Sequence, residues 1–347
     1  MRRSGKNPIV KIEDVKPSSD RMVVVGVFNA GATLYKGEII LLLRVAEKPL
    51  AENESEVRVT YFDEETGTMQ IKVLERSGGK YDFSDSRVIS SVGEQKYLTS
   101  VSHIRIARSW DGINFEVSDK PLIKPFDKYT TYGIEDPRIT KIENKYYINF
   151  SAISAYGIVT RLFQTENFED FTDLGNVFHP DNKDVVLFPN KINGMYYALH
   201  RPSAYEYGKP NIWIASSCDL IHWGDHKLLA SVREDTWEGA RIGAGAPPIL
   251  TKQGWLVLYH GADEANRYCM GAMILDEKEP WRIIRRYAKP LLEPCETYET
   301  NGFFANVVFV CGAVEIEDEL FVYYGASDDC VCVVKTSINE ILDEIGI

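Results

Sequence analysis

Val185-Val186-Leu187-Phe188-Pro189-Asn190, the turn Asn193-Gly194, and Tyr196-Tyr197-Ala198-Leu199-His200-Arg201 decide how this chain folds. Two runs rich in β-branched and aromatic residues flank Asn-Gly, the strongest short-range hairpin signal, because such a turn needs positive φ at its central residues. The unit recurs four more times. Val24 to Asn29 passes through Lys36-Gly37 into Ile39 to Arg44, and Asp136-Pro137-Arg138 passes through Glu143-Asn144 into Tyr146 to Phe150. Ala246 to Leu250 passes through Gln253-Gly254 into Trp255 to His260, and Asn306 to Phe309 passes through Glu317-Asp318 into Leu320 to Tyr324. Units spaced about 50 to 65 residues apart predict a radial array of small sheets, an all-β, five-bladed β-propeller over residues 22–335. Residues 1–21 read as a polar N-terminal arm, residues 48–98 as an insertion with its own strand pattern, and residues 336–347 as a short C-terminal helix.

Composition narrows the function. The 347 residues are 44% hydrophobic and 26% charged, which fits a globular chain with a substantial core. A net charge of −12 argues against nucleic acid and anionic membranes, both of which require clustered Lys and Arg. Any bound anion must then be held by local cations. The six cysteines have no CxxC spacing and read as buried, reduced thiols, and no apolar segment of signal-peptide length follows the basic N-terminus. A cytoplasmic enzyme is expected. His222 and His226 beside Trp223 lack a third ligand nearby, so no metal site is expected.

In such an array the inner strands line one pocket, so equivalent positions converge. The second strands end at Arg44, Phe150-Ser151, His200-Arg201, Tyr259-His260 and Tyr324-Gly325, and the first strands open on Asn29, Asp136, Asn190, Pro247 and Asn306. Any one of these is ordinarily a solvated strand end. Asp136, Arg44, Arg201 and His260 taken together point to a site. Asp184, Glu206, Asp263 and Glu264 are open candidates for a second carboxylate.

Gly133-Ile134-Glu135-Asp136-Pro137-Arg138, Leu187-Phe188-Pro189-Asn190, His200-Arg201-Pro202-Ser203, Arg241 to Pro248, and Gly254-Trp255-Leu256 to His260-Gly261 resemble glycoside hydrolase family 130 over roughly residues 22–335. The resemblance implies a five-bladed propeller acting on β-mannosides, mostly as inverting phosphorylases and in a minority as hydrolases. It implies that Asp136 is the general acid, directly or through a sugar hydroxyl, and that Arg201, Arg241 and His260 bind phosphate. Asn190 stands where β-1,4-mannosyl phosphorylases of the family carry an arginine, and is expected at the phosphate in its place. Gly302-Phe303-Phe304-Ala305-Asn306 replaces a Gly-Asp-Val-Pro-Asn segment that contacts sugar. Sugar contacts are expected from Asn29, Arg44, Arg138, Asp184, Tyr259 and Asp263. The opening Asn7-Pro8-Ile9 and Leu43-Arg44-Val45-Ala46-Glu47 look closer to members acting on β-1,2-linked mannose.

The chemistry agrees with that implication. An inverting hydrolase needs an acid and a base, whereas a phosphorylase needs one acid and a cluster of cations, because its nucleophile arrives already anionic. The expected reaction is cleavage of β-1,2-mannobiose or short β-1,2-mannooligosaccharides by inorganic phosphate, with no cofactor, giving α-mannose 1-phosphate. The alternatives are an inverting β-mannosidase with Glu206, Asp263 or Glu264 as base, a β-1,4-mannosyl-glucose or mannooligosaccharide phosphorylase, or a non-catalytic sugar-binding module. The arm and the insertion are compatible with a homo-oligomer.

Overall fold

The computed structural model describes residues 1–53, 55–85, 87–91, 96–203 and 206–347. Residues 54, 86 and 92–95 of the expected insertion lie outside this set. The chain is all-β, with its main strands arranged as successive antiparallel meanders. The first holds β1 (Met22–Tyr35), β2 (Glu38–Pro49) and β3 (Val101–Ser109). The second holds β4 (Gly133–Ile142), β5 (Lys145–Ser154), β6 (Gly157–Thr165) and β7 (Thr172–Phe178). The third holds β8 (Asn182–Leu187), β9 (Tyr196–Pro202), β10 (Ile212–Ser217) and β11 (Trp223–Ala230). The fourth holds β12 (Arg241–Ala244), β13 (Gly254–Ala262), β14 (Tyr268–Leu275) and β15 (Ile283–Arg286). The fifth holds β16 (Val308–Ile316), β17 (Glu319–Ala326) and β18 (Cys330–Thr336).

A sheet with one wet face would alternate apolar and polar residues, but Ile39-Ile40-Leu41-Leu42-Leu43 of β2 is fully buried. The period of two explains this. Ile39, Leu41 and Leu43 pack toward the fifth meander with Tyr323 and Val333, while Ile40 and Leu42 pack toward the second with Ile134 and Phe150. Equivalent apolar clusters lie between the second and third meanders, the third and fourth, and the fourth and fifth. Each meander is thus sandwiched between two others, and the fifth returns to the first.

The first two meanders are also stitched into one sheet by a single parallel pair, Gly133 with Ser102. Gly133 has φ 127°, and a Cβ there would sit 2.8 Å from the Ser102 amide nitrogen, so no other residue fits without moving the backbone.

Residues of the expected N-terminal arm do more than trail in solvent. Arg2 and Arg3 pair with Lys335 and Val334 on the edge of β18, Val10 and Val15 are buried, and Arg3 forms an ion pair with the fully buried Glu299. A three-stranded edge left open would present unpaired backbone groups, and the arm satisfies them. The insertion folds as a hairpin, Glu56–Asp63 against Thr68–Glu75, over a small core of Val59, Leu74, Ile89 and Tyr97. Of the cysteines, Cys218 and Cys295 are exposed rather than buried, and all six are free thiols. No helix is long and apolar enough to cross a membrane among the described residues.

The closing helix α1 (Ile338–Ile345) is capped by Ser337, whose side chain accepts from the Glu340 amide, and ends at Gly346 with φ 77°. It buries Ile341, Leu342 and Ile345 against the fourth and fifth meanders. Ile341→Ala should therefore cost about 2–5 kcal/mol in a urea titration, whereas Asp343→Ala on the exposed face should change stability by less than about 0.5 kcal/mol.

Candidate active site

Three hairpins share one irregularity. Between the pairs Phe28 with Arg44 and Gly31 with Leu42 in β1–β2, two residues face one; the same holds between Glu135 with Ser151 and Arg138 with Asn149 in β4–β5, and between Lys183 with Arg201 and Val186 with Leu199 in β8–β9. Each is a β-bulge, and the residue after the first pair is left-handed: Asn29 (φ 50°), Asp136 (φ 49°) and Asp184 (φ 53°). Such backbone is disfavoured for side chains other than Gly, Asn and Asp, which explains the residue types found. The bulges turn these side chains into one cavity of about 440 Å³ that Asn29, Arg44, Asp136, Lys183, Asp184 and Arg201 all line.

Asp136 is 4% exposed and accepts hydrogen bonds from Asn29 Nδ2 (2.9 Å) and Arg44 Nη1 (3.0 Å). Burial alone would favour its neutral form, but Arg44, Lys183 and Arg138 outweigh that and hold its carboxyl below the usual carboxylate range. Arg44 also donates from Nη2 to Glu135 (2.8 Å), which in turn accepts from Lys183 (3.1 Å). Asp184 is gripped harder still. Arg201 Nη1 lies 2.7 Å, His260 Nε2 3.1 Å and Arg138 Nη2 3.3 Å from its oxygens. Despite burial, these partners hold Asp184 well below the usual range.

Not every expected residue reaches the cavity. Arg138 is 1% exposed and spends its guanidinium on the Asp136 carbonyl, Asp184 and the carbonyls of Ala244 and Gly245, so it braces the site from behind. His260 is wholly buried against Phe309, with ring centroids 4.1 Å apart, and burial lowers its imidazole pKa, so it is a neutral donor to Asp184 and not a phosphate-binding cation. A Cβ on Gly243 would lie 2.2 Å from Asp184 Oδ2 and 2.6 Å from His260 Nε2, which is why glycine occupies that position. Arg241 is bound to the Tyr268 hydroxyl and to Asn266; Tyr268, not Arg241, lines the cavity.

Three expectations are corrected outright. Asn190 is exposed beside the Asn193-Gly194 turn, six residues along the hairpin from Asp184 and so roughly 20 Å from the bulge. Tyr259 points to the other face of β13, where its hydroxyl donates to Glu238 (2.7 Å) and its ring stacks on Trp237. Asp263 closes its own loop by accepting from the amides of Ala265 and Arg267. Glu206 and Glu264 are exposed.

The cavity also contains residues that sequence reasoning passed over. Lys183 and Glu135 pair across their strands with Arg201 and Ser151, a register that a count from the Arg201 end of the hairpin would have exposed. Asp328, with φ 52° in the turn between β17 and β18, is the one cavity-lining carboxylate without a hydrogen-bonding cation among the described residues. Desolvation, reinforced by Asp136 and Glu135 and opposed by Arg44, pushes it up to about 6. Phe303, Phe304 and Phe309 supply apolar walls, and Arg87, Val88 and Leu98 of the insertion, with Thr99 and Ser100 just after it, also line the cavity. No group of three His, Cys, Asp or Glu side chains is arranged to hold a metal among the described residues.

Residues 86–346 match the family model of glycoside hydrolase family 130, described as beta-1,4-mannooligosaccharide phosphorylase. A β-1,2-mannobiose phosphorylase from Listeria innocua is 45% identical over 99% of this chain and 98% of its own length. A 1,2-β-oligomannan phosphorylase from Thermoanaerobacter is 41% identical over 71% of this chain and 82% of its own. The solved structure of the Listeria enzyme with β-1,2-mannobiose superimposes with a TM-score of 0.95 at 46% identity, covering 99% of this chain and 98% of that one. The chain belongs to glycoside hydrolase family 130.

Proposed function

We propose that this protein is an inverting β-1,2-mannoside phosphorylase that cleaves β-1,2-mannobiose or short β-1,2-mannooligosaccharides with inorganic phosphate, releasing α-mannose 1-phosphate. One observation carries the reading: a buried aspartate at a bulge shares its cavity with Arg44, Lys183 and Arg201, a cation set able to hold an anion beside it. Arg201 gives only Nη1 to Asp184, and its buried Nε has no partner among the described residues. A guanidinium with free N–H groups at a cavity wall suits a phosphate oxygen. The closeness of relatives named for β-1,2-mannoside phosphorolysis supports the linkage.

Asp136 serves as the acid in this scheme. Cations keep it ionised in the free protein, and an incoming phosphate competes for those same cations. As the ternary complex forms, the field that held the proton off weakens and water is excluded. Asp136 then takes up a proton given up by dihydrogen phosphate and passes it to the leaving oxygen as the resulting hydrogen phosphate attacks the anomeric carbon from the opposite face. Neutral His260 and fully engaged Arg138 fix Asp184, and Asp184 fixes Arg201. The five meanders, closed by the fifth returning to the first, are read as five blades of a propeller whose inner strands supply these groups. A cytoplasmic location and substrates limited to sugar and phosphate belong to the same proposal.

Incubation with β-1,2-mannobiose should give mannose 1-phosphate only when phosphate is present; equal mannose release in its absence would replace the reading with hydrolysis. Asp136→Asn should lower kcat by on the order of 10²–10⁴ in protein whose circular dichroism shows it folded at the assay temperature. Asp328 predicts a pH effect on stability. Its native pKa of about 6 lies above its unfolded value, so the native state is favoured while the group is protonated. That advantage is complete below about pH 4 and is lost as pH rises through 6. Relative to wild type, Asp328→Asn should gain on the order of 1–3 kcal/mol between pH 4 and pH 7.5 in parallel urea titrations.

A further inference from the structure

A second cavity of about 480 Å³ adjoins the first, and the two share Val25, Thr99, Ser100 and Phe303 as walls. Its remaining lining includes Val23 of β1, Lys48 to Ala51 at and just past the end of β2, and Glu56, Arg58, Arg76 and Phe83 of the insertion. Nothing in the reaction at Asp136 uses these groups. Their chemistry is that of a carbohydrate surface, with flat rings edged by charged hydrogen-bonding side chains. The Phe83 ring is half-buried with the Arg76 guanidinium over it at 5.3 Å, and Phe303, on the shared wall, is 47% exposed. Arg58 is held in place by Glu56 (3.1 Å) and Glu52 (2.7 Å), so the polar edge is preorganised.

Resting on the phosphorylase reading above, we propose that the second cavity binds the further mannosyl units of a β-1,2-mannooligosaccharide beyond the cleaved bond, with Phe83 and Phe303 as platforms. The protein then prefers longer chains to the disaccharide. The non-reducing mannose occupies the cavity at Asp136, and the released, shortened chain extends past Phe303 beneath the insertion. An exposed aromatic ring between two continuous cavities is what a chain of pyranose rings requires, since apolar sugar faces stack on aromatic faces while hydroxyls reach the polar rim.

Initial rates of mannose 1-phosphate release would be measured with β-1,2-linked di-, tri- and tetrasaccharides. In wild type, kcat/KM should rise from the disaccharide to the longer chains. Phe83→Ala should remove roughly fivefold from the tri- and tetrasaccharide values, mainly through KM, and leave the disaccharide value unchanged. Ala51→Trp, which fills the second cavity from an exposed position, should act the same way. Equal wild-type kcat/KM at all lengths would overturn the proposal, as would both variants keeping the wild-type length profile. Absence of sugar phosphate at every length in wild type would instead remove the phosphorylase reading itself.

Discussion

The structure depends on a repeated bulge that sets two residues against one in three hairpins. Holding Asn29, Asp136 and Asp184 at positive φ costs on the order of 1 kcal/mol or more per residue. The return is geometric. Each bulge swings a short polar side chain out of the ladder and toward the others, so Asn29 on β1 reaches Asp136 on β4 at 2.9 Å. Regular strands would keep these side chains on alternating sheet faces, inside the apolar clusters between meanders. Bulges next to active sites are a known use of the extra residue.

Charge is the second constraint, and it follows from the first. Bulges that gather Glu135, Asp136 and Asp184 in a partly dry cavity gather carboxylates that repel one another. Arg44, Lys183, Arg201 and Arg138 answer them through ion pairs of 2.7 to 3.3 Å. Burial makes each charge expensive alone, so removing one partner leaves the other uncompensated. The cluster is therefore cooperative. Arg138 touches both the Asp136 carbonyl and Asp184, and the cavity wall is as rigid as the hydrogen bonds behind it.

Much of this was legible in the chain. Asn193-Gly194 and its counterparts gave the hairpins; Arg44 and Arg201 were singled out because second-strand ends recur in register and Asp136 because first-strand openings do, and all three line one cavity. Asn190 was misplaced because the units were aligned by turn, and the third hairpin is longer: Asp184 precedes Asn193 by nine residues, whereas Asp136 precedes Glu143 by seven. A bulge is invisible to a period-of-two pattern, since it is an exception to that pattern. Tyr259 and His260 are adjacent on one strand, so only one can face the cavity side, and sequence alone does not say which. Asp328, Phe303 and Arg87 reach the site through tertiary convergence of a turn, a loop and an insertion, which no local periodicity encodes.

The net charge of −12 looks at odds with binding an anion, but the conflict dissolves at the scale of the cavity. Surface carboxylates more than about 10 Å away are screened by salt, whereas charges inside the partly buried cavity are not. The approaching phosphate therefore responds to Arg44, Lys183 and Arg201 more than to the average charge. The same carboxylates that neutralise those cations in the resting state keep the site from holding anions indiscriminately. Phosphate bound as proposed must displace part of the hold that Asp136 and Glu135 have on Arg44 and Lys183. In the proposed reaction, anion binding and protonation of Asp136 thereby become a single event, so the acid acquires its proton only when the nucleophile is in place.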